Sequence, residues 1–89
     1  MSGFVTGKAY MATSTHDRHR KAVVVAAGVE NGLQQFVKVS AVGHAERLQN
    51  IDGVGVATIV FPDGRYCATT SVELSGEEAR RVCDAVCGR

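Results

Sequence analysis

The sequence predicts a two-layer α+β domain, an antiparallel sheet of about five strands with two helices packed on one face, in the order β-β-β-α-β-β-α. Three observations lead there. Valine-rich runs alternate with glycine-bearing turns at Asn31-Gly32 and Pro62-Asp63-Gly64. A capping box, Ser75-Gly76-Glu77-Glu78, opens a helical apolar stripe near the C-terminus. The chain has 89 residues, which makes residues 1–89 one domain.

Residues 4–13 read as the first strand, because aromatic and β-branched side chains dominate and alternate. Gly7 interrupts them where a bulge or a close backbone approach is expected. Residues 14–21 form a polar, charged connection. Residues 22–29 are nearly continuous apolar sequence, as in a strand covered on both faces. Asn31-Gly32 then predicts a two-residue type I′ hairpin, since Asn and Gly tolerate the positive φ that both central positions need. Residues 33–42 return beside it. A two-residue turn puts Ala27 opposite Phe36 and Val25 opposite Lys38, and it sets Val24, Ala26, Val37 and Val39 on the face chosen as the main core.

Residues 43–50 read as a short helix, because Ala45, Glu46, Arg47, Leu48 and Gln49 are good helix formers and Asp52-Gly53 breaks the run. Residues 54–61 and 65–72 form the next hairpin, with Gly64 in a left-handed bulge position after Pro62-Asp63. That turn places Val54, Val56, Thr58 and Val60 on one face with Tyr66, Ala68, Thr70 and Val72. The last helix carries Ala79, Val82, Cys83 and Val86 on one stripe and ends at Gly88. The two halves echo one another as a ββα unit used twice.

A domain of this size buries only about 60–65% of its unfolded surface, so a large ligand cavity would empty its core. Net charge is +1, which supplies no global attraction to nucleic acid or anionic lipid. The charge is uneven: Lys8, Arg18, Arg20 and Lys21 against Asp17 make the first third basic, and the last third is mildly acidic. The chain start lacks a secretory-leader pattern, and no apolar run is long enough to span a membrane. With an odd number of cysteines and no framework spacing, a cytoplasmic protein is expected. The surplus of Arg over Lys, with abundant Ala, Gly and Val, points to a GC-rich bacterial or phage genome.

No catalytic constellation, phosphate loop or cofactor motif stands out, so a non-enzymatic protein without a cofactor is expected. The leading function is protein–protein contact of inhibitor or adaptor type. The partner-binding candidates are His16, Arg18, His19, Arg20 and Lys21. Val23, Val25, Val29 and Phe36 lie on the sheet face left without a helix and are the self-association candidates for a homodimer. Two alternatives differ in class. The basic loop 16–21 suits phosphate contacts of nucleic acid, although it carries no aromatic residue to stack on bases. His16 and His19, or Cys67, Cys83 and Cys87 with His44, would suit a metal. Cys83 and Cys87 are four apart on a helix, which is not the tight spacing of structural zinc sites, so packing is the expected role of the cysteines.

Overall fold

The computed structural model is a closed antiparallel barrel in which every strand pairs with its neighbours in the chain. It describes residues 4–38 and 41–70, together with 77 and 81. The strands are β1 (Ala9–Ser14), β2 (Lys21–Glu30), β3 (Leu33–Lys38), β4 (Ala41–Ile51), β5 (Val54–Phe61) and β6 (Gly64–Thr69). Pairing of Ala12 with Ala68, Thr13 with Cys67 and Ser14 with Tyr66 joins the first strand to the last. Closure supplies these two strands with the backbone partners that an open sheet denies its edges.

The predicted open five-stranded α+β sheet is therefore overturned. Residues 43–50 lie in β4, where His44 pairs with both Gln35 and Val60, and Leu48 with Ala57. Helix propensity separates ordinary residues by less than about 0.7 kcal/mol each, too little to outweigh pairing along a hairpin arm. The hairpin signal was Asp52-Gly53 itself. Its φ angles of 51 and 81 match the 54 and 79 of Asn31-Gly32, the positive pair that a type I′ turn requires. With a strand in place of the first helix, the ββα repeat does not hold. The predicted C-terminal helix lies outside the described residues except for Glu77 and Arg81, which are helical and exposed.

Two one-residue shifts reassign side chains between faces. Gly28 and Gln35 keep the register of the two-residue turn, but a bulge at Ala27 then pairs Ala26 with Phe36 and Val25 with Val37. Gly28, at φ 105, allows the bulge. Val24, Ala26 and Phe36 consequently face inward and Val37 outward; Val39 lies outside the described residues. At the other hairpin, Phe61 pairs with Gly64, so the turn is Pro62-Asp63 alone. Tyr66 and Ala68 therefore share the inner face with Ala57, Ile59 and Phe61, not the face of Val56, Thr58 and Val60. A single-residue slip inverts every later side chain because the strand period is two.

The first strand also starts later than predicted. Lys8 N donates to Val5 O at 3.0 Å across a turn, and Gly7 N donates to Ala26 O at 2.7 Å. Phe4 is thereby folded back edge-on to Tyr10 and Phe36, at ring separations of 4.9 and 5.3 Å. The Tyr10 hydroxyl accepts from Val5 N at 2.9 Å.

The interior alternates large and small. Phe4, Tyr10, Phe36, Ile59, Phe61 and Tyr66 fill it, and Ala12, Ala26, Ala45, Ala57 and Ala68 make room for them. A narrow barrel needs this alternation, because six walls of large side chains would overfill its lumen.

Candidate functional site

An up-and-down barrel collects alternate turns at one end. Here the loop of residues 15–20, the end of β3 and the Pro62-Asp63 turn meet. Ser14 Oγ accepts from His16 N at 3.2 Å and from Asp17 N at 3.3 Å, and Asp17 Oδ1 accepts from His19 N at 3.0 Å. Ser14 N donates to Arg20 O at 2.9 Å, Arg20 N to Asp17 O at 3.0 Å, and Thr15 N to Arg65 O at 3.2 Å. The loop is thus pinned by its own backbone and by β6, and its side chains point to solvent.

All five predicted partner-binding residues, His16, Arg18, His19, Arg20 and Lys21, are exposed. Arg20 and Lys21 border an open groove of about 380 Å³, whose other walls are Ala22, Val23, Lys38, Asp63 and Tyr66. His16, Arg18 and His19 lie on the loop but do not line it.

Lys38 is the residue that sequence reading missed. It follows Phe36 by two positions on the inner face of β3, and its side chain is only 7% exposed. Nζ donates to both carboxylate oxygens of Asp63 at 2.8 Å. It also stands 4.4 Å from the centre of the Phe61 ring and 4.7 Å from that of Tyr66. A buried ammonium persists because a carboxylate and two aromatic faces replace its water. The only sequence signal was a charge at an alternating apolar position. Arg20 approaches Asp63 Oδ2 at 4.0 Å, with its guanidinium 6.0 Å over Tyr66.

The Lys38 hydrogen bond holds the Asp63 carboxyl below the usual aspartate range; partial desolvation opposes the shift, and the charges of Lys38 and Arg20 add to it. A lowered folded-state value means that the pair's stabilisation is complete above the unfolded aspartate range. It is lost as pH falls through the lower folded value. Asp63→Asn is therefore expected to lower the unfolding temperature at neutral pH, with the gap to wild type closing in the acid range. Calorimetry from neutral pH to below pH ~4 checks this, and a gap that stays constant would contradict the linkage.

A second open groove, also about 380 Å³, lies on the outer wall of β2, β3 and β4, bounded by Ala27, Gly28, Val29, Glu30, Gln35, Val37 and Val42. Val29 and Val42 are 69% and 54% exposed there. Of the predicted self-association residues, Val29 belongs to this patch and Val23 is half-buried. Val25 has no exposed surface, and Phe36 is inside the barrel. The four do not form one surface, because the Ala27 bulge sets Val23 and Val25 on the face opposite Phe36.

Cys67 is half-buried on β6, its sulfur 4.0 Å from Thr58 Oγ1, and His44 lies on β4 with β5 between them. Cys83 and Cys87 lie outside the described residues. Among the described residues no three His, Cys, Asp or Glu side chains converge as metal ligands, and no helix is long and apolar enough to cross a membrane. No protein-family model, curated protein or solved structure matches this chain.

Proposed function

We propose that this is a binding protein without catalysis, acting by protein–protein contact as a homodimer through the outer wall of β2, β3 and β4. One observation carries the reading: the interior is filled by its own aromatics, whereas Val29 and Val42 border an open apolar groove on the outside. A filled barrel leaves its surface as the place to act. The exposed residues His16, Arg18, His19, Arg20 and Lys21 are then left for a partner protein of the inhibitor or adaptor kind. A reducing cytoplasm fits the free Cys67. The nucleic-acid reading is weaker. Tyr66, the aromatic closest to the basic loop's groove, is only 3% exposed and offers no face for base stacking.

Light scattering on a size-exclusion column tests the dimer. Wild type is expected to run as a dimer at micromolar concentration. A Val29→Asp, Val42→Asp double variant is expected to run as a monomer with an unchanged unfolding temperature, since both side chains are exposed. A wild type that stays monomeric at high micromolar concentration would defeat the proposal.

A further inference from the structure

The groove beside the loop of residues 15–20 holds an imbalance of charge and of hydrogen-bond donors. Among the described residues, Arg20, Lys21 and Lys38 border it against the single carboxylate of Asp63. Both Asp63 oxygens accept from Lys38 at 2.8 Å, while Arg20 stays at 4.0 Å, beyond hydrogen-bond reach. The side chains of Arg20 and Lys21 donate no hydrogen bond to any described residue. The Tyr66 hydroxyl has no hydrogen-bond partner among the described residues either. Tyr66 itself is one of the residues that line the groove. The walls are preformed: the loop is pinned to β6, and the side chains of Lys38 and Tyr66 are buried.

We propose that this groove is a binding site for monohydrogen phosphate, a site distinct from the apolar outer wall and independent of it. Arg20 and Lys21 supply charged donors, the Tyr66 hydroxyl supplies a neutral one, and Lys38 supplies the buried positive charge behind Asp63. Charge selects the ligand class. Among the described lining residues, three cations against one carboxylate leave two positive charges, which a dianion balances and a single carboxylate does not. The planar fork of an arginine matches two oxygens of a tetrahedral oxyanion. Asp63 selects within the class. A carboxylate kept ionised by Lys38 accepts a hydrogen bond from the P–OH of monohydrogen phosphate and repels sulfate, which has the same shape and charge but no proton.

Amide chemical shifts of the isotope-labelled full chain, titrated with inorganic phosphate, sulfate and a short oligodeoxythymidylate at constant ionic strength, test the site. Phosphate is expected to shift Arg20, Lys21, Asp63 and Tyr66 to saturation, with sulfate weaker by on the order of tenfold. Arg20→Ala and Lys21→Ala, both at exposed positions, should each weaken phosphate by on the order of tenfold while leaving the unfolding temperature unchanged. Asp63→Asn should bring sulfate up to phosphate. Tyr66→Phe, which keeps the ring in the barrel, should weaken phosphate by a smaller factor. A linear, unsaturated drift with phosphate would overturn the proposal, and so would equal affinity for sulfate in the wild type. Binding of the oligonucleotide alone, spread over residues 15–21 and steeply salt-dependent, would overturn it in favour of a nucleic-acid surface.

Discussion

Phe36→Ala is expected to destabilise the fold by about 3–5 kcal/mol, the usual cost of emptying a buried phenylalanine site. Phe36 is fully buried, flanked by Phe4 at 5.3 Å, and sits in β3 between the inward-facing Ala26 of β2 and Gly43 of β4. A closed barrel cannot collapse onto the hole, because each wall is fixed by strands on both sides. A domain's total stability is about 5–15 kcal/mol, so the loss is a large share of it. At about 4–8 °C per kcal/mol, the unfolding temperature should fall by more than 10 °C. Phe36→Leu should cost a fraction of that. The measurement also discriminates between architectures. On the uncovered face of an open sheet, the same truncation would cost well under about 1 kcal/mol, and a result that small in chemical denaturation would argue against the barrel.

Gly43→Ala should destabilise by about 1–3 kcal/mol or more, as overpacking does. A Cβ built at Gly43 would lie 2.6 Å from Phe61 Cδ1, 2.7 Å from its Cε1 and 2.6 Å from the Val60 carbonyl oxygen. The ring can yield, but a backbone carbonyl in a paired strand cannot move without breaking the β4–β5 ladder. The sign carries the information. Were residues 43–50 helical, replacing this glycine with alanine would stabilise by roughly 0.5–1 kcal/mol. Denaturant unfolding of the purified variant decides it. Combining Gly43→Ala with Phe61→Leu should recover part of the loss, since the two sites share one contact; strict additivity would show that the ring is not the obstacle.

Both effects depend on which way side chains face, and that was the least legible property of the sequence. Strand-forming runs at residues 22–29 and 54–61 and the Asn31-Gly32 turn were readable, because valine content and a positive-φ dipeptide are local signals. Asp52-Gly53 carries the same signal between Ile51 and Val54, but the helix formers before it masked its meaning. The alanines were also informative. Ala12, Ala26, Ala45, Ala57 and Ala68 look like compositional bias one at a time, yet all five line the lumen in one cluster with the large rings.

The candidate sites divide in the same way. Arg20 and Lys21 stand out as a basic loop, and Val29 as an apolar residue in a strand. Lys38 lies 25 residues before Asp63, on a different strand from Tyr66, and no local spacing relates it to either.

What the sequence determined alone is the set of pieces: strand-forming segments, glycine turns, a polar loop and a surplus of small residues. Those depend on backbone sterics and side-chain shape within a few residues. What only the tertiary structure decided is closure, and with it the inner face of each strand, the burial of Lys38 and the groove it shares with Asp63 and Tyr66. The physical reason is that two one-residue shifts, at Ala27 and at the Pro62-Asp63 turn, each invert a whole face. Their outcome is set by which register lets β1 pair with β6 around a filled interior, a condition that no short stretch of chain contains.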